Sequence, residues 1–437
     1  MDNEQKRARA RAFMPGARDL RPLHRPDVLR DSNLQPKQEP PMNELLDQAK
    51  ELFPYTQALR RDFHMHPELG FREFRTSGIV AKELEALGLE ATKGVGKTGV
   101  VALLEGAQPG PTLLLRFDMD ALPIMEDTGA EYASQNAGVM HACGHDGHTA
   151  VGLTVAKMLD ARRGELKGAV KFVFQPSEEG LNGEEVGGAQ MMMRDGVLEN
   201  PKPDFALALH LWNDKPLGWV SAAAGPIMAG AEMFTVKLTG KGGHGAAPHE
   251  TVDPIVAAAQ IVNALQSIVA RNVSPLATAV VSVTAVHSGE AFNVIPQEAE
   301  LRGTIRTFDA KVRERVLRRF REIVEGVAQS LGCAAQIEVK RVTPATVNDA
   351  DVAAKVQQAA RRVLPESEIS DAPFVTMGSE DMGFMLEQIP GCYFLVGSAN
   401  RERGLDYGHH HPKFDFDEEA LARAAAWMAA AALETLG

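Results

Sequence analysis

Three of the chain's 13 histidines, one of its three cysteines and an aspartate lie within the eight residues 141–148, HACGHDGH. Imidazole, thiolate and carboxylate groups are all metal ligands, and the two glycines let the backbone bend so that several of them point inward. A polar loop whose histidines happen to cluster is the alternative interpretation. The stretch therefore predicts part of a metal site, which other segments of the chain must complete.

Two adjacent carboxylates, Glu178 and Glu179, follow an apolar strand pattern that ends near residue 174. Ligands of open α/β sheets bind at the carboxyl ends of strands. Neighbouring glutamates repel each other unless a cation separates their roles. One of them can bind a metal while the other accepts a proton from water. In isolation, a solvated acidic turn explains this pair equally well.

Further histidines stand at strand ends and in glycine turns. His210 follows the apolar segment 206–209, and residues 409–411 are three consecutive histidines between a glycine and a proline. Alone, these patterns are more typical of a satisfied polar residue and of a surface loop. Together with the residues above they predict five ligands for two divalent metals, one ligand being able to bridge: Cys143, His145, Glu179, His210 and one of His409, His410 and His411.

Elements that position these residues are predicted from the apolar pattern. Strands at 100–104, 112–117, 169–174 and 206–209 alternate with helices at 43–63, 73–87, 146–162 and 188–194. Continuous apolar strands that alternate with helices indicate a mostly parallel sheet that is covered on both faces. The fold class is therefore predicted to be α/β, with a catalytic domain of residues 44–228 and 343–437.

A different pattern occupies the middle of the chain. Strands with alternating apolar residues at 233–238, 280–286, 298–307 and 335–339 are separated by helices at 252–269 and 311–331. Alternation indicates an antiparallel sheet with one covered face, and the order of elements is that of a ferredoxin-like unit. The sequence predicts an inserted α+β domain at residues 229–342.

Bulk composition narrows the class of partner. A net charge of −12 disfavours nucleic acid, because phosphate binding needs a concentrated basic face. No apolar run reaches membrane-spanning length, and three cysteines do not make a disulfide framework. Residues 1–43, with six prolines and no periodic apolar pattern, are predicted to be a disordered extension. We expect no membrane partner and a cytoplasmic location.

Seven separated stretches resemble a known family. They are RRDFHMHPELGF at 60–71, DMDALP at 118–123, MHACGHDGH at 140–148, QPSEEG at 175–180, GGHGA at 242–246, FNVIP at 292–296 and GSED at 378–381. The chain resembles the amidohydrolase branch of the di-metal aminoacylase and carboxypeptidase G superfamily, which includes hippurate hydrolases and indole-acetyl-amino-acid hydrolases. The resemblance implies a zinc-aminopeptidase-like catalytic domain with two divalent ions, Mn or Zn, per subunit.

The resemblance also implies roles for individual residues. Glu178 would be the general base, Asp120 would orient a ligand, and the metal ligands would be Cys143, His145, Glu179, His210 and His410. The inserted domain would dimerise and reach over the active site, giving a homodimer or a dimer of dimers. There His244 would stabilise the oxyanion, within one subunit or across the interface, and Asn293 and Arg306 would hold the substrate's carboxylate.

The expected activity is cleavage of the amide bond of a small N-acyl amino acid, hippurate-like or with another aryl or alkyl acyl group. Metal-activated water would attack, with Glu178 as the base. One alternative is a dipeptidase or carboxypeptidase on the same scaffold, which would differ in its preference for unblocked peptides. Another is a non-catalytic binding protein, which would bind such compounds without turnover. The sequence does not specify the acyl group.

Overall fold

The structure is a computed structural model, and it describes residues 43–180, 183–364, 368–370 and 374–437. The predicted N-terminal extension, residues 1–43, lies outside the described residues except for Asn43, where the first helix begins.

Ten α-helices lie within the described residues: α1 (Asn43–Glu51), α2 (Phe53–Met65), α3 (Phe74–Glu85), α4 (His145–Asp160), α5 (Gly188–Arg194), α6 (Pro254–Ser267), α7 (Ala310–Ser330), α8 (Ala350–Val363), α9 (Gly383–Leu386) and α10 (Glu419–Leu436). The strands of the same residues are β1 (Ala91–Val95), β2 (Gly99–Glu105), β3 (Gln108–Asp118), β4 (Lys167–Gln175), β5 (Phe205–Pro216), β6 (Trp219–Ser221), β7 (Gly225–Met228), β8 (Gly230–Thr239), β9 (Gly243–His244), β10 (Ala279–His287), β11 (Val294–Ile295), β12 (Glu298–Thr307), β13 (Ala334–Thr343), β14 (Thr346–Asn348), β15 (Glu368–Ser370) and β16 (Gly391–Ala399).

The larger sheet has eight strands in the order β1-β2-β4-β3-β5-β16-β6-β15. Its centre, β4-β3-β5-β16, is parallel, as the sequence predicts. Nearer the edges, β1 pairs with β2, β2 with β4 and β6 with β16 in the antiparallel sense. The connection from β1 to β2 is too short for a crossover, so these strands can pair only as a hairpin. The sheet is therefore mixed around a parallel centre.

Helices cover both faces of this sheet. α1, α3, α4, α8 and α10 contribute to the core on one face, and α5 and α9 to the core on the other. α4 lies against β3 and β4 with nearly all of its residues buried. Gly152 permits the close approach, because a Cβ atom at this position would lie 2.7 Å from the ring of Phe117 and 2.8 Å from that of Phe174. This packing fixes the first residue of α4, His145, beside the sheet edge.

α10 is the alanine-rich helix of the sequence, and it is part of the core. Its residues are buried from Ala420 to Ala432 apart from Arg423. Small side chains let it pack closely against α4 and α8, which it contacts along with the sheet. In the part of the chain that the structure describes, we find no helix both long and apolar enough to cross a membrane.

The middle of the chain forms a second sheet with its own core. β8, α6, β10, β12, α7 and β13 follow the predicted order of elements, and the strands form an antiparallel sheet in the order β10-β12-β8-β13. α6 and α7 cover one face of this sheet, where Ile261 of α6 and Phe320 of α7 share a core with Phe234 of β8. The exact domain boundaries at residues 229 and 342 stay predictions.

One predicted helix is wrong in its extent. Residues 43–63 were expected to be a single helix, whereas α1 ends at Glu51 and α2 begins at Phe53. Pro54 occupies the first turn of α2. Proline has no N–H to donate to the preceding turn and its ring clashes there, so it starts a new helix rather than continuing the first.

Candidate metal centre

The candidate site lies at the carboxyl edge of the parallel strands. Asp118 ends β3, and Glu178 and Glu179 follow β4. β5 pairs with β3 only as far as Ala208, so His210 lies just beyond that pairing, although it still pairs with Leu395 of β16 on the other side. The N-terminus of α4 meets the same edge through a tight bend at Gly144, whose φ of 93° is in the left-handed region that glycine tolerates.

The predicted ligands form two overlapping groups that share Cys143. The ligand atoms of Cys143, His145 and His210 lie within 4.8 Å of one another, and so do those of Cys143, Glu179 and His410. Within these groups Cys143 Sγ is 3.4 Å from His210 Nε2, and His410 Nε2 is 3.1 Å from Glu179 Oε1. The structure thus brings all five side chains together, and the thiol is common to both groups.

Hydrogen bonds determine which ring nitrogen each histidine presents. His145 Nδ1 donates to the carbonyl oxygen of Asp120 at 2.9 Å, and His210 Nδ1 donates to that of Leu211 at 2.6 Å. Both rings therefore direct Nε2 to the site, where a cation can take the place of a proton on that nitrogen. His145 Nε2 is buried and makes no hydrogen bond to a described residue, as expected of an atom that awaits a cation.

The three consecutive histidines have different surroundings. His409 Nε2 donates to the carbonyl oxygen of Leu211 at 3.0 Å, and His411 Nδ1 accepts from the N–H of Lys413 at 3.0 Å. His410 faces Glu179 instead, on a backbone held at a φ of 65°. Of the three, His410 is the one whose ring reaches the cluster.

Two other histidines of the 141–148 stretch are not placed as ligands. His148 Nδ1 donates to Asp118 at 2.6 Å and its Nε2 accepts from the N–H of Leu211 at 2.9 Å, so both nitrogens are engaged. His141 is buried outside the two ligand groups, and burial lowers its pKa to about 4. The hydrogen bonds of His148 agree with a structural role, whereas both ring nitrogens of His141 are buried without a hydrogen-bond partner among the described residues.

Charge in the site favours divalent cations. Burial opposes protonation of His145, yet the neighbouring carboxylates, Asp118 foremost, raise its pKa to about 10. Burial and the carboxylates of Glu179 and Glu178 raise the pKa of the Cys143 thiol well above its usual range. A thiolate here therefore requires a compensating cation. Thiolate, imidazole and carboxylate donors are a set that zinc or manganese accepts.

Glu178 stands beside the ligands but faces other carboxylates. A carboxylate oxygen of Glu178 lies within 4.8 Å of one from Glu380 and one from Asp381. Burial, followed by repulsion from Glu380 and Glu179, raises the pKa of Glu178 well above its usual range. A carboxyl group with raised proton affinity, beside a set of candidate metal ligands, is a candidate to accept a proton from water.

Arg116 is a central residue that the sequence analysis missed. Its buried guanidinium donates to Asp118 at 2.6 Å, to Glu380 at 2.8 Å and to Asp381 at 2.9 Å. It also donates to Gln175 at 2.9 Å. The signal was present: a charged residue within the apolar run TLLLRFD has to be paired once the strand is buried.

The ligands open onto a cleft of about 650 Å³ between the two sheets. Arg306 of β12 lines it and donates to Ser379 Oγ at 2.6 Å, beside Glu380. His244 and Asn293 do not line the cleft. They lie together on an exposed two-stranded ladder, in which β9 pairs with β11 and the N–H of Gly245 donates to the carbonyl oxygen of Asn293.

A second cavity, about 710 Å³ in volume, lies where the chain passes between the sheets. It contains none of the candidate ligands, and its arginines are paired with carboxylates: Arg313 with Glu232, and Arg341 with Glu387. Four of the five candidate ligands, Cys143, Glu179, His210 and His410, line the smaller cleft instead.

Comparison with known proteins agrees with this fold and site. Residues 114–434 match the model of peptidase family M20/M25/M40, and the chain belongs to this family. A solved structure, that of the Bacillus subtilis YxeP protein, a dinuclear metal-binding peptidase of the M20 family, is 36% identical with a TM-score of 0.77, and the match covers 89% of this chain and 99% of that one.

Three curated relatives have similar lengths. A Bacillus subtilis protein described as an amidohydrolase, YhaA, is 42% identical over 86% of this chain and 93% of its own length. Thermostable carboxypeptidase 1 of Saccharolobus solfataricus is 38% identical (87% and 95%), and N-acetylcysteine deacetylase of Bacillus subtilis is 39% identical (86% and 96%). The predicted fold class and the prediction of a metallo-amidohydrolase are confirmed.

Proposed function

We propose that the protein hydrolyses the amide bond of N-acyl amino acids, releasing a carboxylic acid and an amino acid. The observation that carries this proposal is the pair of ligand groups around Cys143, with the proton acceptor Glu178 at their edge and Arg306 across the cleft. The name of one relative, N-acetylcysteine deacetylase, describes a reaction of this class.

Metal binding and proton transfer are assigned to different residues of the chain. Cys143, His145, Glu179, His210 and His410 would hold two divalent ions, which polarise the amide carbonyl and lower the pKa of water when bound. Glu178 takes the proton from the attacking water and delivers it to the leaving amine, whose departure requires protonation.

Recognition of the substrate is proposed to use both sides of the cleft. Arg306 would pair with the free carboxylate, because a guanidinium binds a carboxylate through two parallel hydrogen bonds. Apolar side chains of Trp212, Met228 and Met377 line the same cleft and offer a surface for an aryl or alkyl acyl group. This wall favours a hippurate-like substrate over one with a charged acyl group.

A homodimer is proposed from the exposed ladder that carries His244 and Asn293. Phe292 beside it is fully exposed, and Val294 is 53% exposed. Apolar side chains in such a position are typical of an interface. His244 Nδ1 accepts from the N–H of Ala246, so the ring presents Nε2–H as a donor for an oxyanion, in a partner's cleft. Gel filtration combined with light scattering measures the molar mass of the protein in solution and so distinguishes a dimer from a monomer.

The decisive experiment measures hydrolysis of benzoyl-, acetyl- and indolylacetyl-amino acids by the wild type and by Glu178→Gln. We expect the variant to lose about 10³-fold or more in kcat while it keeps its bound metal. Glu165→Gln, an exposed carboxylate that pairs with Arg162, is the matched control. Turnover by Glu178→Gln at the wild-type rate contradicts the proposed mechanism. Elemental analysis of the same samples distinguishes zinc from manganese.

A carboxypeptidase is the second candidate, favoured by the relative of that name. The same assay with unblocked dipeptides separates the two functions, since a peptidase of that kind would prefer them to N-acyl amino acids.

A cytoplasmic location is part of the proposal. Cys143, which forms no disulfide, can serve as a thiolate ligand only where it stays reduced.

A further inference from the structure

Glu73 is a buried carboxylate that the proposed mechanism does not use. It precedes the first residue of α3, and its exposed fraction is 0%. Its Oε1 accepts from the N–H of Ser177 at 2.9 Å, and its Oε2 accepts from the Thr98 hydroxyl at 2.5 Å. The carboxyl group therefore connects α3 to the turn that immediately precedes Glu178.

That turn has a backbone conformation that needs support. Ser177 has a φ of 48°, in the left-handed region that residues with a Cβ adopt only at a cost of about 1 kcal/mol or more. Two residues later, the N–H of Glu179 donates to Asp120 Oδ2 at 3.0 Å. Carboxylates from two different segments thus hold the N–H groups on either side of Glu178.

We propose that Glu73 is a positioning residue for the general base, and that it acts by holding Ser177 in the conformation that directs Glu178 and Glu179 into the site. The inference rests on the proposed function for the role of Glu178. The expected effect on Glu179 does not depend on the proposed function, because interatomic distances alone place Glu179 in a candidate ligand group.

The hydrogen bonds of the Glu73 carboxyl group indicate which substitution should preserve its contact with Ser177. Ser177 needs an acceptor, and a neutral group supplies one as well as a charged group does. Burial and the nearby Asp120 carboxylate raise the pKa of Glu73 to about 7, so its carboxyl group is already largely neutral below that pH. A glutamine keeps the carbonyl acceptor for Ser177, and its amide can donate to the Thr98 hydroxyl, which is able to accept.

The experiment compares Glu73→Ala, Glu73→Gln and a control that affects the first turn of the same helix from outside it. In the control, Glu68→Ala, the carboxylate that accepts from the N–H groups of Arg75 and Thr76 is removed, so α3 is loosened without a change at Ser177. We expect Glu73→Ala to lower kcat by about 10²-fold with a nearly unchanged KM, because a small displacement of a catalytic group has that cost. Glu73→Gln should restore most of kcat, and Glu68→Ala should retain it.

Equilibrium titration with Mn²⁺ or Zn²⁺ alone provides a readout that needs no substrate. Because Glu179 lies on the same turn, Glu73→Ala should weaken metal affinity by roughly tenfold or more, and Glu73→Gln should restore it. Wild-type kcat and metal affinity in Glu73→Ala, or equal losses in Glu68→Ala, overturn the proposal. A wild type without amidase activity contradicts the proposed function instead, and the metal titration still decides the role of Glu73.

Discussion

Asp120 contacts two of the segments that supply candidate ligands, and His145 is its partner in one of them. The His145 ring donates to the backbone carbonyl of Asp120 and lies 3.2 Å from its Oδ1, while Asp120 Oδ2 accepts from the N–H of Glu179. One residue therefore orients an imidazole, through its backbone carbonyl and its carboxylate, and positions a glutamate through the carboxylate alone. Such support commonly contributes as much to a metal site as a ligand does.

Replacement of Asp120 should weaken metal binding without removing a ligand. We expect Asp120→Ala to reduce affinity for Zn²⁺ or Mn²⁺ by roughly 10–100-fold, which is the usual effect of removing a residue that hydrogen-bonds to metal ligands. Asp204→Ala is the control, because Asp204 precedes β5 at the end opposite to the candidate ligands and accepts from the N–H of Thr112 within β3. Competition titration with a chromophoric chelator measures both variants. Equal affinities for Asp120→Ala and the wild type contradict this role.

Sequence predicted the parts of the site that local patterns encode. The central strands were recognisable as apolar runs, and the residues after them were candidate ligands because the ends of parallel strands meet at one edge. Contacts between distant segments were not predictable. Arg116 pairs with Glu380 and Asp381, more than 260 residues away, and no periodicity specifies such partners. The contact between Glu73 and Ser177 could not be predicted from the sequence for the same reason.

Arg116 should be essential for stability even though it is not a proposed ligand. Its substitution by methionine leaves Asp118, Glu380 and Asp381 buried without their shared cation. Breaking a buried ion pair in this way costs about 3–5 kcal/mol. Burial and Glu380 already raise the pKa of Asp381 to about 8, although Arg116 opposes this. Urea unfolding measures the loss, and Arg116→Met with Asp381→Asn should recover part of it. If the single variant is as stable as the wild type, the pairing contributes little.

Stability should also depend on the titration of Glu73. Its folded-state pKa, about 7, is raised above the ordinary value of 4.5, so the folded state binds this proton more tightly than the unfolded state does. The resulting stabilisation is complete below about pH 4.5 and is lost as the pH rises through 7, a change of roughly 3 kcal/mol. Glu73→Gln cannot titrate. We therefore expect the difference in unfolding free energy between the wild type and this variant to fall across that window. A constant difference from pH 4.5 to 8 contradicts the assignment.

Arg306 provides a test of substrate recognition, because its proposed partner belongs to the substrate. Arg306→Ala should lower kcat/KM for N-acyl amino acids by roughly 10- to 100-fold, the effect of losing a charge-assisted hydrogen bond. For the corresponding substrates with a terminal carboxamide the same substitution should have little effect, because the charge that it recognises is gone. Arg302→Ala, an exposed residue of the same strand that pairs with Glu300, controls for general effects on β12. Equal losses with both kinds of substrate would show that Arg306 supports the cleft through Ser379 rather than binding the carboxylate.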